Sequence, residues 1–262
     1  MIGLDPTPDP ASVRTLLDQT RHLVVLTGAG ISAPAGLPTL RGPSSATGPG
    51  EPMEPVTAAD LEVRPADTYD YFRCLAAHTP TVSPTAAHEA IAEAQRRFRG
   101  EGRSFALATL NGDDLHERAG AATTRLHGSY LHARCVRCNE RFHDRAAGSP
   151  CECGDLLRPD AVLLGESPDA GADWLMRRAL RNAEVFLAVG MSGSASPVYD
   201  YARTVASNGG RTVMVTRDPA RDLRSVFDVV LDLDADALAV LLEPLAFRGA
   251  SPSSGRHRVS AP

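Results

Sequence analysis

Short apolar runs alternate along this chain with longer segments in which apolar residues recur every three to four positions. The runs have the length and composition of parallel strands that are covered on both faces of a sheet. They predict strands at residues 23–27, 104–109, 185–189, 211–215 and 229–231. Strands that alternate with helical segments indicate an α/β fold with a mainly parallel sheet.

The segments between these runs predict helices. Apolar periodicity covers residues 86–99, 172–182 and 197–207, and Pro197 falls in the first turn of the third, a position that proline favours. Leu238, Leu241 and Leu242 place an apolar stripe on a last helix, which would pack on the sheet.

Three stretches interrupt the pattern. Residues 42–57 are rich in proline, glycine and serine, which predicts a mobile loop. Residues 130–159 contain four of the five cysteines. Residues 248–262 lack a hydrophobic pattern, which predicts a disordered tail.

Composition narrows the class of protein. With 262 residues and 43% hydrophobic content, the chain can form one large domain, or one domain with an inserted module. No apolar run approaches the roughly 20 residues that span a bilayer, and the N-terminus has no basic segment followed by a hydrophobic stretch. We therefore expect a cytoplasmic protein with no membrane contact. The net charge of −5 gives no general attraction to nucleic acid, so we expect no direct binding to it.

Two closely spaced cysteine pairs predict a metal site. Four thiolates, from Cys135, Cys138, Cys151 and Cys153, complete a closed tetrahedral shell around a structural Zn²⁺. Disulfides are the rival interpretation, and a cytoplasmic location disfavours them.

Three further residues have metal-binding or nucleophilic side chains, but we expect none of them to bind metal or to act as a nucleophile. Cys74, in a predicted helix, is expected to be a small core residue. His132 and His143 lie near the cysteine pairs and could replace a ligand, but four cysteines suffice, so we expect them on the surface.

The first predicted strand leads directly into a loop of small residues. Gly28, Ala29 and Gly30 would let backbone approach a ligand closely, and amides exposed where such a turn enters a helix can bind a pyrophosphate. Taken alone, the motif fits a tight turn equally well.

Further segments in chain order decide between these interpretations. They are TLNGDDLHERAG from Thr109, LHG from Leu126, CVRC with CEC from Cys135, LRPDAVLLGE from Leu157 and VGMSGSASP from Val189. With the glycine loop, they make residues 12–245 resemble the sirtuin (Sir2-like) family, as a divergent bacterial-type member.

The resemblance implies a domain arrangement. Residues 12–41, 80–130 and 160–246 would form a Rossmann-like NAD-binding domain. Residues 42–79 and 131–159 would form a smaller inserted domain, made of a helical and loop segment and a zinc-ribbon module. It also implies two cofactors, NAD and structural Zn²⁺.

The resemblance assigns roles to individual residues. His127 would be the general base that takes a proton from a ribose hydroxyl of NAD, for which an imidazole is suited at neutral pH. Asn111, the second catalytic residue that the resemblance implies, would contact the nicotinamide ribose, and Asp113 would contact the carboxamide. His116, at a predicted helix start, is expected to orient the loop and not to do chemistry.

Other positions would hold cofactor and substrate. The cofactor set is completed by Gly28, Ala29, Gly30, Ser32, Arg41, Gly190 and Ser192, with Arg41 facing phosphate charge. The backbone of Val162 would receive the acyl-lysine peptide as an added strand.

The chain departs from the family pattern at three positions near the expected nicotinamide site. Leu40 stands where an aromatic residue shields the sugar, Leu110 replaces a glutamine, and Gly112 replaces an isoleucine of the nicotinamide pocket.

The implied activity is NAD-dependent protein-lysine deacylation, with transfer of the acyl group to ADP-ribose and release of nicotinamide. The partners would be acyl-lysine proteins or peptides. Mono-ADP-ribosyl transfer or NAD hydrolysis is the alternative, which Leu40 and Leu110 make plausible. A non-catalytic NAD sensor is disfavoured because His127, Asn111 and Asp113 are all present. A monomer is compatible with the sequence, which does not fix the oligomeric state.

Overall fold

The computed structural model describes residues 9–38, 56–191, 197–217, 219 and 221–245. The strands are β1 His22–Thr27, β2 Ser104–Thr109, β3 Thr124–Arg125, β4 Gly128–Cys135, β5 Arg141–Phe142, β6 Leu157–Ala161, β7 Val185–Val189, β8 Arg211–Thr216 and β9 Val229–Asp232. The α-helices are α1 Pro10–Gln19, α2 Ala58–Val63, α3 Pro65–His78, α4 Ala86–Gly100, α5 Leu115–Arg118, α6 Ala170–Leu180, α7 Val198–Ser207 and α8 Leu238–Leu241. In the described part of the chain, no helix has the length and hydropathy to cross a membrane.

Six strands form a parallel sheet in the order β3-β2-β1-β7-β8-β9. Five of them are the predicted strands, and each begins and ends within one residue of its predicted bounds. The prediction of an α/β fold with a parallel sheet is confirmed. The chain adds β2 on one side of β1 and later β7 on the other, so the direction of winding reverses at β1.

Helices cover both faces of this sheet because side chains alternate between the faces along each strand. Leu23 and Val25 of β1 pack in one core with residues of α1, α4 and α8, including Phe98. Val24 and Leu26 pack in a second core with residues of α6 and α7. Burial on both faces explains why the strands are continuous apolar runs.

A second, smaller sheet is antiparallel and has the order β5-β4-β6. Helices α2 and α3 lie beside it, and Phe72 and Leu75 of α3 pack against Ala161 and Leu163. The smaller inserted unit is therefore present, while its exact boundaries stay a prediction. The predicted tail at residues 248–262 and residues 42–55 of the predicted loop at 42–57 lie outside the described residues, while Thr57, the last residue of that loop, caps helix α2.

Candidate active site

The candidate site lies at the carboxyl ends of β1, β2 and β7. Open parallel sheets bind ligands outside the carboxyl ends of strands where the winding direction reverses, and β1 is that point here. Loops that begin at Gly28, Leu110 and Gly190 follow these three strands. The topology thus brings together three segments that are far apart in sequence.

The glycines after β1 make a close backbone contact. The N–H groups of Gly28 and Gly30 donate to the carbonyls of Val189 and Gly190, both at 2.9 Å. A Cβ atom at Gly30 would lie 2.7 Å from the Cα of Gly190. In this structure the glycine pattern allows the two loops to pack together, in addition to any role towards a ligand.

The turn after β1 enters two short 3₁₀ helices, Ala29–Ile31 and Ala33–Ala35. Gly36 ends the second with a φ of 95°, a left-handed conformation that glycine adopts without strain. Of the other predicted cofactor residues, Ala29 lies half-buried in this turn.

Three predicted residues form one buried cluster. The Ser32 hydroxyl donates to Oδ2 of Asp113 at 2.9 Å and accepts from Nδ2 of Asn111 at 3.1 Å. The same Asn111 amide donates to the carbonyl of Gly28 at 3.2 Å. All three side chains belong to residues that are less than a tenth exposed. The loops after β1 and β2 are joined through these polar contacts.

The Asp113 carboxyl has a raised pKa, chiefly because burial disfavours its charged form. Hydrogen bonds from the backbone of Leu115 and the hydroxyl of Ser32 oppose that effect, as does the positive charge of Arg125. A buried carboxyl with several donors around it is a group whose charge responds to what binds next to it.

His127 lies directly before β4 and next to the loop after β2. Burial lowers the pKa of its imidazole, while a hydrogen bond with the backbone of Leu110 partly opposes this shift. The N–H of Val162 donates to the carbonyl of His127 at 2.9 Å. His127 is therefore held between the residue that precedes Asn111 and the predicted substrate segment.

Sequence reasoning missed an ion pair next to the predicted substrate segment. Arg158 is 6% exposed, and its guanidinium contacts both carboxylate oxygens of Glu166, at 2.5 and 2.9 Å. Glu166 also accepts the N–H of Leu163 at 2.8 Å, and Arg158 donates to the carbonyl of Ala161 at 3.0 Å. The opposite charges within LRPDAVLLGE were the signal that could have identified this pair.

The four predicted metal ligands come together. The sulfur atoms of Cys135, Cys138, Cys151 and Cys153 all lie within 4.8 Å of one another, and the closest pairs are at 3.4 and 3.7 Å. Zinc–sulfur bonds of about 2.3 Å place tetrahedral sulfurs about 3.8 Å apart. The cluster therefore fits a Zn²⁺ ion.

The outcome for the remaining candidates is mixed. Cys74 lies on helix α3 as expected, but it is exposed, so its assignment as a core residue is wrong. His143, directly after β5, is exposed, and His132 of β4 is half-buried; their rings meet edge to face. Arg41 and Ser192 lie outside the described residues, as does Leu40.

Comparison with known proteins identifies clear relatives. The model of the Sir2 family matches residues 28–197. An NAD-dependent protein deacylase of Thermus thermophilus is 34% identical over 237 residues, which cover 88% of this chain and 93% of the relative. The NAD-dependent protein deacylase 2 of Pyrobaculum aerophilum is 35% identical, covering 80% of this chain and 85% of the relative.

Solved structures match as well. A Sir2 homologue in complex with NAD has a TM-score of 0.77 and 29% identity, covering 89% of this chain and 92% of its own. A Sir2 homologue variant in complex with 2′-O-acetyl ADP-ribose has a TM-score of 0.79 and 29% identity, covering 89% and 95%.

Proposed function

Because the chain belongs to the Sir2 family, we propose that it is an NAD-dependent protein-lysine deacylase, which transfers the acyl group to ADP-ribose and releases nicotinamide. One observation carries this proposal beyond the family name. His127 interacts with the backbone of Leu110, directly before Asn111, whose side chain belongs to the buried cluster with Ser32 and Asp113. A candidate base and a cluster of polar side chains that could bind a ligand thus lie on neighbouring segments.

The residues present fit a dinucleotide. Amide, hydroxyl and carboxyl groups converge at the carboxyl edge of the sheet, beside the close-packed glycine loops. When bound, NAD supplies the ADP-ribose that accepts the acyl group and the nicotinamide that leaves. We assign the cofactor contacts to Gly28, Ala29, Gly30, Ser32, Arg41, Asn111, Asp113, Gly190 and Ser192.

His127 is the proposed general base. A neutral imidazole has one ring nitrogen without a proton, and that nitrogen can take a proton from a ribose hydroxyl. Burial lowers the pKa of the ring, which keeps the base in its neutral, proton-accepting form at pH 7. Asn111 and Ser32 would hold the ribose in reach of this nitrogen.

The substrate side of the proposal rests on Val162. This residue follows β6, and in the described part of the chain β6 is an edge strand of the small sheet. An acyl-lysine peptide could add along that edge through main-chain hydrogen bonds. A cytoplasmic location belongs to the proposal, since a reducing compartment keeps the four zinc-binding thiols from forming disulfides.

Incubation with labelled NAD, with and without an acetyl-lysine peptide, tests the proposal. We expect nicotinamide release and O-acetyl-ADP-ribose formation only when the peptide is present, and their loss in His127→Ala. His143→Ala is the matched control, because His143 is an exposed histidine on the small sheet. The chain contains no lysine, so any acetyl-lysine signal comes from the peptide.

The same assay separates the competing functions. Nicotinamide release at one rate with and without peptide would indicate NAD hydrolysis or ADP-ribosyl transfer. No release at all, together with measurable NAD binding, would indicate a sensor. Either result would overturn the deacylase proposal.

A further inference from the structure

Two buried histidines meet between helices α4 and α5. The rings of His88 and His116 lie edge to face with centroids 4.7 Å apart, and the two residues are 0% and 1% exposed. Within the part of the chain that the structure describes, Nε2 of His88 and Nδ1 of His116 are buried and have no hydrogen-bond partner. Most buried polar atoms in proteins are paired, so these two nitrogens are unusual.

Both imidazoles are neutral at pH 7. Burial lowers the pKa of His88 to about 4. Burial, the neighbouring His88 and the charge of Arg125 lower the pKa of His116 to about 3. Nδ1 of His88 accepts the backbone N–H of Thr85 at 3.2 Å, so the ring proton of His88 lies on Nε2.

A chain of hydrogen bonds runs from His116 to the candidate site. Nε2 of His116 lies 2.8 Å from the hydroxyl oxygen of Thr27, which lies 2.9 Å from the hydroxyl oxygen of Thr109. That oxygen accepts the backbone N–H of Asn111 at 3.1 Å. Thr27 and Thr109 are register partners at the last positions of β1 and β2.

The two ends of this series of hydrogen bonds determine which group donates in each bond. The amide of Asn111 can only donate, and the hydroxyl of Thr109 donates to the carbonyl of Thr27. The hydroxyl of Thr27 donates to Thr109, so it must accept a proton from Nε2 of His116. His116 is then the tautomer with its ring proton on Nε2 and no proton on Nδ1.

We propose that Thr27 and His116 are positioning residues, which hold the backbone of Asn111 through Thr109 and thereby keep its side-chain amide on Ser32 and the carbonyl of Gly28. Asn111 lies two residues beyond β2, where the strand ladder no longer fixes it. The inference rests on the proposed function, because only that function makes the place of Asn111 matter for catalysis.

The first test uses the protein without cofactor or substrate. In Thr27→Val and Thr109→Val, we expect hydrogen exchange of the Asn111 amide, followed by NMR, to accelerate about tenfold, the equivalent of one net hydrogen bond. Thr27→Ser retains the hydroxyl and should exchange like the wild type. Thr212→Val is the control: Thr212 is a buried strand residue whose hydroxyl bonds Asp228, away from the site.

The tautomer of His116 is measured in the same sample from its ring ¹⁵N shifts. A proton on Nε2 supports the chain of donors described above. A proton on Nδ1, or unchanged exchange of the Asn111 amide in Thr27→Val, would overturn the proposal whatever the enzyme turns out to catalyse.

The second test is kinetic. His116→Gln keeps an N–H donor near the place of Nε2, whereas His116→Leu has none, so we expect kcat about tenfold lower in His116→Leu and in Thr27→Val and largely restored in His116→Gln. In an Asn111→Ala background, Thr27→Val should lower kcat no further. An additional loss there would show a general structural role and would overturn the proposal.

The two proposals fail in different ways. If the wild-type protein shows no peptide-dependent nicotinamide release, the deacylase proposal is wrong. The hydrogen-exchange and tautomer measurements still test the positioning role in that case. A fully active Thr27→Val variant contradicts the positioning role alone.

Discussion

The aromatic ring of Tyr130 lies against the backbone of Gly112: a Cβ atom built on Gly112 would be 2.6 Å from Cδ1 of the ring. The hydroxyl of Tyr130 lies 2.9 Å from Oγ1 of Thr79, so the ring is also held at its far end. The position where the family resemblance implies an isoleucine is thus covered by a tyrosine from β4. Gly112 and this placement of Tyr130 depend on each other.

Gly112→Ala should therefore destabilise the protein by about 1–3 kcal/mol, the usual cost of overpacking. Urea unfolding measures the change. In a Tyr130→Ala background the same substitution should cost clearly less, because the ring that it meets is absent. Gly100→Ala is the control, since a Cβ atom there meets no atom of the described residues within 4 Å. Equal costs of Gly112→Ala in both backgrounds would contradict the coupling.

Acid should destabilise the fold between pH 6.5 and about 4. The pKa of His88 is lowered to about 4 in the folded protein, so below pH 6.5 the unfolded chain takes up a proton that the folded chain refuses. That difference corresponds to on the order of 3 kcal/mol. His116, also lowered, acts in the same direction. The raised pKa of Asp113 acts oppositely, since a folded state that binds the proton more tightly gains stability as pH falls.

Urea midpoints measured from pH 7.5 to 4 check this expectation. The loss of stability on acidification should be smaller in His88→Gln, which has no titrating ring at that position. His22→Gln is the control, because His22 is an exposed histidine at the start of β1. The same pH slope in His88→Gln and wild type would rule out His88 as its cause.

The parallel sheet could be predicted because its strands are buried on both faces. Residues 185–189, for example, are five consecutive buried apolar residues, and such a run is typical of a covered parallel strand. The sequence predictions do not include helix α1, although Asp9 caps it and Pro10 opens it. This helix buries only Val13 and Leu17, and two apolar positions are too few to give a clear periodic pattern. Strand β3 has only two residues, too few for any periodic pattern.

The small sheet was harder to predict for a physical reason. All five residues of β6 are buried, yet Arg158 and Asp160 are among them, and they are accommodated by ion pairs with Glu166 and Arg141. A pattern of apolar positions does not detect burial that rests on charge pairing. The candidate site could not be predicted from this pattern either. Ser32 and Asp113 are 81 positions apart, and only the family resemblance indicated both.

Zinc should be bound at about one ion per chain. Cys151→Ser should lose the metal and unfold the small sheet at lower temperature, because buried Cys135 and Cys151 form one core with Ala133 and Leu157. Metal analysis and thermal unfolding measure the two effects. Cys74→Ser, a change at an exposed cysteine, should keep the full zinc content. If the cysteines formed disulfides instead of a zinc site, the denatured, unreduced protein would show fewer than five free thiols.

Glu166 should affect the use of peptide more than the use of NAD. Its carboxylate holds Arg158 and the N–H of Leu163, which fixes the turn that follows Val162. Glu166→Gln keeps an acceptor for Leu163 but leaves the guanidinium of Arg158 without its charge partner, and we expect a loss of about 1.5–3 kcal/mol in stability. If peptide adds along Val162, its KM should rise several-fold while the KM for NAD changes little.

Glu93→Gln provides the comparison for this prediction. Glu93 pairs with Arg96 at 2.7 Å, but both side chains are more than half exposed, and such surface pairs contribute little. We expect neither stability nor either KM to change in that variant. A Glu166→Gln protein that loses stability with an unchanged peptide KM would show that the ion pair supports only the fold. The proposed peptide site would then have to lie away from the turn that Glu166 holds.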